Sequence, residues 1–276
     1  RAGGTEHEPD AGIRRDGGLA VRILVKVGGT LLDDSESRRR ISGELAQVAG
    51  PGVRLVVVHG GGKQMTRFLA ERGVESRFVN GLRVTTPEVL DAVLKVFAGS
   101  VNHQFVAALI AGGARAVGLS GIDASLTEAE PLAQELGAVG KPVRCDAALL
   151  DTLTEAGFLP VVACVAGDRY GNIYNVNADQ MAVACAAGFR AERLFFLTDV
   201  DGVRDAEGQV LPRLDIAEGE RLIRRGVATG GMLAKLNAAH DALRQGIGEV
   251  VVAPGAAPEV VRRLIEGEPV GSRLVA

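Results

Sequence analysis

From residue 21 onward, short runs of β-branched and other apolar residues alternate with longer stretches in which apolar positions recur every three or four residues. Runs that are apolar at nearly every position belong to strands buried on both faces, and the intervening stretches belong to amphipathic helices. The pattern therefore predicts an α/β fold: a three-layer αβα sandwich with a central, mainly parallel sheet. The predicted strands are Val21 to Val27, Arg54 to His59, Ala116 to Leu119, Leu159 to Cys164, Arg193 to Thr198 and Glu249 to Ala253. One predicted helix starts from an N-cap among Asp33, Asp34 and Ser35 and runs to about Val48, and a second covers Gln64 to Arg72 and stops at Gly73. The longest covers Pro87 to Ala111, with Val89, Val93, Val96, Phe97, Val101, Phe105 and Leu109 on one face and Gly99-Ser100 as a bend. A further apolar helix takes Met181 to Ala187. After residue 20 there is no low-complexity linker, so one continuous fold of two lobes is expected, 21–165 and 166–276. Residues 1–20 carry scattered glycines and charges without periodicity and are expected to form a disordered tail.

Composition narrows this picture. A chain of 276 residues with 47% hydrophobic content buries a substantial core. With 31 basic and 34 acidic residues the net charge is -3, so no global field recruits nucleic acid or an anionic membrane. No apolar stretch is read as approaching the roughly 18 residues of a membrane span. Three cysteines, Cys145, Cys164 and Cys185, lack Cys-x-x-Cys spacing and read as reduced structural thiols of a cytoplasmic protein. The four histidines have no metal-ligand spacing.

Candidate chemistry begins where strands end. Lys26 closes an apolar run and is followed by Gly28 and Gly29; Leu55 to Val58 runs into His59-Gly60-Gly61-Gly62-Lys63. Glycines let backbone N–H groups approach an anion and a lysine supplies compact positive charge, so two such turns in one chain point to a phosphate site. Asn175, Asn177 and Asp179 stand at every second position before an apolar helix. Asp179 alone reads equally as a helix N-cap, but the amides of Asn175 and Asn177 suit a polar substrate. Thr198 and Asp199 end a strand where open α/β sheets bind ligands, whereas Asp201-Gly202 reads as an ordinary turn. Gly230 and Gly231 open a helix that carries Lys235; a lone lysine there would be a solvated surface residue, and its company is what makes it a candidate. Arg83 could hold a carboxylate with its fork or form a surface ion pair. His59 is most simply a hydrogen-bonded strand end and Asp123 a turn. Gly62-Lys63 lacks the Ser or Thr and the glycine spacing of a P-loop, and no strand is followed by Gly-x-Gly-x-x-Gly.

Taken in order, Lys26-Val27-Gly28-Gly29, His59-Gly60-Gly61-Gly62, Asn80-Gly81-Leu82-Arg83-Val84-Thr85, Asn175-Val176-Asn177-Ala178-Asp179 and Gly231-Met232-Leu233-Ala234-Lys235 resemble the amino-acid kinase family from about residue 21 to the C-terminus. Within that family, the Gly81 to Thr85 and Asn175 to Asp179 segments resemble the branch acting on N-acetyl-L-glutamate. The resemblance implies the amino-acid kinase fold, with the first lobe binding substrate and forming a homodimer and the second binding nucleotide. It implies transfer of phosphate from ATP to the side-chain carboxylate of N-acetyl-L-glutamate, with Mg2+ held mainly by the nucleotide phosphates and no protein metal site. Lys26 and Lys235 would neutralise the phosphoryl group and Asp179 would orient both. Gly60, Gly61, Arg83, Asn175 and Asn177 would bind the acceptor, and Gly28, Gly29, Thr198, Asp199, Gly230 and Gly231 the nucleotide. Departures from the family pattern are Ile122, where many relatives carry lysine, and Lys63, where proline is common. Alternatives are a kinase for an N-blocked α-aminoadipate and a catalytically silent binding protein of the same fold. The reading of the tail adds an unregulated dimer as the expected assembly.

Overall fold

The computed structural model describes residues 20–276, so the expected tail, apart from Ala20, lies outside the described residues. The strands in chain order are β1 (Val21–Val27), β2 (Val53–His59), β3 (Phe78–Val79), β4 (Leu82–Arg83) and β5 (Ala116–Ser120). They continue with β6 (Thr127–Pro131), β7 (Val139–Cys145), β8 (Leu159–Ala163), β9 (Val165–Gly167) and β10 (Ile173–Val176). The last four are β11 (Arg193–Thr198), β12 (Arg213–Asp215), β13 (Glu249–Pro254) and β14 (Ser272–Val275).

Eight of these form the central sheet in the order β12-β14-β13-β11-β1-β2-β8-β5. All neighbours are parallel except β13 and β14. The mainly parallel sheet expected from the apolar runs is present, and β1 shows why those runs are continuous: Ile23, Leu24, Val25 and Val27 are each 0% exposed because helices cover both faces. All six predicted strands lie in this sheet. Strands β6, β7, β9 and β10 close a small barrel beside it, and β3 and β4 form a two-stranded hairpin. Gly140 in β7 makes the barrel possible, since a Cβ there would stand 2.5 Å from that of Tyr174 on β10.

The helices cover the sheet much as the periodicity implies. The first spans Ser35–Val48 and is capped by Asp34, whose carboxylate accepts from the Ser37 N–H. The second spans Gly62–Ala70, two residues earlier than the pattern placed it. Pro87–Ala111 is one helix with wide π-helical turns over Leu94–Val101, a stretch that includes the Gly99-Ser100 bend. Its stripe of Val89, Val93, Val96, Phe97, Val101, Phe105 and Leu109 is buried. By length and composition this helix is also apolar enough to cross a membrane, with a mean hydropathy of 1.4 in its best window, which corrects the reading that no stretch approaches that size. The inward stripe joins the main core, so its apolar length is used in packing. All three cysteines are free thiols.

Candidate active site

The chain leaves β1 for β2 on one side of the sheet, and β11 arrives on the other. The carboxyl ends of these three neighbours therefore form a topological switch point, the place where open α/β sheets leave a crevice. Two glycine turns fill its floor. Gly28 donates its N–H to Leu197 O at 2.9 Å and Gly60 donates to Val27 O at 3.3 Å, stitching the turns to the adjacent strand ends. A Cβ on Gly29 would stand 3.0 Å from Gly61 N and 3.2 Å from Gly62 N, so the two turns touch backbone to backbone. A Cβ on Gly61 would meet Phe97 at 2.9 Å, so this glycine also answers a packing need of the long helix beneath it.

Lys26, the penultimate residue of β1, is 6% exposed. Strand packing tolerates it because its Nζ lies 2.6 Å from Asp179 Oδ1, while Lys235 Nζ lies 3.5 Å from Asp179 Oδ2. One carboxylate thus holds two ammonium groups contributed by a strand and by a helix more than 200 residues away. Burial alone would push the Asp179 carboxyl up, but the charges and hydrogen bonds of Lys26 and Lys235 prevail and hold it below the ordinary aspartate range. The cluster carries a net charge of one positive unit.

Asp179 sits in the first turn of the helix Ala178–Gly188, and the N-cap is Asn177: its Oδ1 accepts from the N–H groups of Asp179 at 2.9 Å and Gln180 at 3.2 Å. The capping role considered for Asp179 therefore falls to Asn177, whose short side chain can fold back onto the orphan donors. The Asn177 carbonyl, expected among the acceptor-binding groups, is committed to the backbone, which leaves only its amide nitrogen for a ligand.

Arg83 in β4 is 9% exposed and faces no carboxylate among the described residues. Its guanidinium donates to Thr66 Oγ1 at 2.8 Å, to Gly62 O at 3.3 Å and to Ser76 Oγ, and lies 4.6 Å over the Phe78 ring. Burial pushes its pKa below the ordinary arginine value. The surface ion pair considered for Arg83 does not form. Together with Gly29, Thr30, Gly62, Lys63, Arg67, Ala70 and Phe78, it lines an open cleft of ≈ 570 Å³.

Asn175, in β10, donates its Nδ2 to Thr85 Oγ1 at 3.0 Å, two residues from Arg83. Thr198 ends β11 buried, its hydroxyl 3.1 Å from Asp199 Oδ1. Gly230, at φ 51, begins the helix Gly230–Arg244, whose N-cap Thr229 makes no side-chain cap bond. His59 is fully buried between Gly60 O, which takes its Nδ1 proton at 2.9 Å, and the Asn102 amide, which donates to its Nε2 at 3.0 Å. Burial lowers its pKa to about 4, so it is a neutral structural residue. Asp123 accepts from the Ser120 N–H at 2.6 Å and hydroxyl at 2.9 Å, a local side-chain bond that closes the turn.

The amino acid kinase family model matches residues 21–254. The chain belongs to the amino acid kinase family. An acetylglutamate kinase from Solibacter usitatus (strain Ellin6076) is 60% identical over 255 residues, covering 92% of this chain and 99% of the relative. Another acetylglutamate kinase, from Koribacter versatilis (strain Ellin345), is 42% identical over 260 residues, with 93% and 99% covered. Among solved structures, N-acetylglutamate synthase from Neisseria gonorrhoeae, complexed with coenzyme A and N-acetyl-glutamate, superposes with a TM-score of 0.83 at 24% identity. The match covers 93% of this chain but only 59% of the synthase. Giardia carbamate kinase superposes with a TM-score of 0.69 at 15% identity, over 94% and 99% of the two chains. Both likenesses are of fold.

In this amino acid kinase the structure brings Lys26, Asp179 and Lys235 into one cluster and the turns at Gly28-Gly29 and Gly60-Gly61 into contact. Arg83 and Asn175 are joined through residue 85, since Thr85 Oγ1 accepts from Asn175 and donates to Arg83 O. Sequence reasoning missed the neutral cradle of Arg83, namely Ser76, Thr66 and Phe78. A lone serine, threonine and phenylalanine on separate elements carry no local pattern that could have exposed it.

Proposed function

We propose that this chain transfers the γ-phosphoryl group of ATP to the side-chain carboxylate of N-acetyl-L-glutamate, giving an acyl phosphate and ADP. The observation that supports it is the Asp179 carboxylate held between Lys26 and Lys235 at the switch point, in a chain that matches acetylglutamate kinases over nearly its whole length. A carboxylate oxygen of the acceptor attacks the γ-phosphorus, and the bond from phosphorus to the β–γ bridging oxygen breaks with its electrons leaving on ADP. No proton moves, so no general base is needed, and a neutral His59 costs the reaction nothing.

Lys26 and Lys235 neutralise the phosphoryl group in flight, and Asp179 keeps the two ammonium groups aimed and apart. In the two glycine turns the Gly28 and Gly60 N–H groups are tied to neighbouring strand ends, which leaves those of Gly29 and Gly61 as backbone donors around the phosphoryl group. Arg83 and Asn175 hold the acceptor, with the Asn177 amide nitrogen near the same end. The buried Arg83 charge, which has only neutral partners, suits an acceptor carboxylate. Thr198, Asp199 and the open start of the helix Gly230–Arg244 receive the nucleotide. Mg2+ would be held mainly by the phosphate oxygens of the nucleotide and by water, where it would offset charge on the phosphates. Residues 21–165 then serve the acceptor and a homodimer contact, and 166–276 the nucleotide, with Asn175 and Asn177 reaching from the second lobe to the acceptor.

The test is ADP release measured with N-acetyl-L-glutamate, N-acetyl-α-aminoadipate, glutamate, aspartate, carbamate and UMP in parallel. Turnover is expected with acetylglutamate and, more weakly, with the longer homologue, since one methylene is worth about 1–3 kcal/mol in a pocket. Activity confined to any other acceptor, or none at all, would sink the reading. Light scattering of the same preparation should give a dimer mass; a monomer removes that part of it.

A further inference from the structure

Thr85 closes the segment Gly81 to Thr85 yet neither lines the Arg83 cleft nor contacts the lysine cluster. It is 0% exposed, and its hydroxyl makes two hydrogen bonds: Oγ1 donates to Arg83 O at 2.9 Å and meets Asn175 Nδ2 at 3.0 Å. A hydroxyl has one proton. A carbonyl oxygen can only accept, so that proton goes to Arg83 O, and the Asn175 amide must approach with its donor end. The choice between the two amide orientations is thus made by Thr85. Asn175 Oδ1, which takes no hydrogen bond from any described residue, is left as the free acceptor.

The backbone makes this junction rigid. Thr85 O accepts from Ala138 N at 2.8 Å, Ala138 O accepts from Asn175 N at 2.9 Å, and Thr85 N donates to Leu136 O at 2.8 Å. Gly137 lies so close that a Cβ on it would stand 2.4 Å from Thr85 O. Residues 85 and 175 are therefore fixed to the same short segment by main-chain bonds that survive any change at the Thr85 side chain.

Resting on the acceptor reading above, we propose that Thr85 is a positioning residue: its hydroxyl fixes the Asn175 amide so that Oδ1 is presented as a hydrogen-bond acceptor for the N–H of an acylamino acid. A ligand with an N–H in that place is recognised, and one with an ester oxygen there meets two facing acceptors.

The experiment compares the parent with Thr85→Val and Thr85→Ser, using N-acetyl-L-glutamate and 2-acetoxyglutarate, its ester counterpart without the N–H. Thr85→Val should raise KM for acetylglutamate about tenfold, the scale of one lost hydrogen bond, with KM for ATP within about twofold. The preference for amide over ester should shrink at least about fivefold, and Thr85→Ser should restore both. Thr85→Val combined with Asn175→Ala should be no worse than Asn175→Ala alone, because the hydroxyl acts through that amide. An unchanged amide-to-ester preference in Thr85→Val overturns the proposal even if stability falls. Proton exchange of the Asn175 side-chain amide in ligand-free protein gives a readout that needs no substrate. It should be slow in the parent and Thr85→Ser and fast in Thr85→Val, and equal rates in all three overturn the positioning role. If the parent does not phosphorylate acetylglutamate while these rates differ as stated, the functional reading fails and the orientation set by Thr85 stands.

Discussion

The two cationic regions of this site solve the problem of buried charge in opposite ways. Around Asp179, two ammonium groups share a carboxylate that the chain itself provides, so one of the two positive charges is compensated before any ligand arrives. At Arg83 the guanidinium is equally buried but rests on hydroxyls, a carbonyl and an aromatic ring, with no built-in anion. In the proposed reaction the first arrangement meets a phosphoryl group that passes through and must leave. The second is completed only by a ligand that brings its own negative charge, so it selects an anion rather than merely tolerating one.

Removing Lys235 is the sharpest way to break this contrast. Lys235→Ala should lower turnover by roughly 10² to 10³ fold, the scale of one lost transition-state contact, while the melting temperature changes little because Asp179 keeps Lys26. Near-normal turnover would mean that the second ammonium is not part of the clamp. The Arg83 side should respond in binding instead. Arg83→Gln is expected to raise KM for the acylamino acid by about 10² fold with turnover within a few fold, and to leave stability within about 1 kcal/mol, since an uncompensated charge disappears together with its neutral contacts. A large loss of stability with unchanged KM would show the guanidinium to be structural.

The smallest effect concerns His59, which ends β2 just before the second glycine turn. Its folded pKa, lowered to about 4, lies below the ordinary 6.5, so the unfolded chain binds more protons between these values. Its contribution to stability is complete above pH 6.5 and declines as the pH falls toward 4. At pH 5.5 the loss should be about 1.4 kcal/mol, a tenfold change in the folding equilibrium. Denaturant titrations of the parent and of His59→Asn across this range measure it, and an identical slope in both would locate the acid sensitivity elsewhere.

The central sheet was legible because strands such as Val21–Val27 and Arg193–Thr198 are buried on both faces and so spell themselves out as apolar runs. The barrel strands were not. Residues 127–131 read Thr-Glu-Ala-Glu-Pro, and Val139–Cys145 carries Gly140, Lys141, Pro142 and Arg144, because only one side of each is packed and the tight closure needs small residues. In the site, Lys26 announced itself as a charge closing an apolar run, whereas Asp179 and Lys235 became candidates only through the residues around them. The roles of Asn177 and Thr85 did not, since which way an amide faces is decided by partners from distant segments. A sequence records that Asn177 precedes a helix, but not that its carbonyl is spent there.

Lys26 has one further consequence, for how the sheet assembles. In β1 side chains alternate between the two faces, and residues 23 to 27 are all buried between β2 and β11. Sliding β1 by one residue against either neighbour would turn the ammonium into the opposite hydrocarbon layer, away from Asp179, at a cost of several kcal/mol. The chain thus carries a polar key near the end of a central, mostly apolar strand, where apolar residues alone would fit nearly as well in a shifted position. The residue proposed to meet phosphate also rejects the wrong alignment of the strand that carries it.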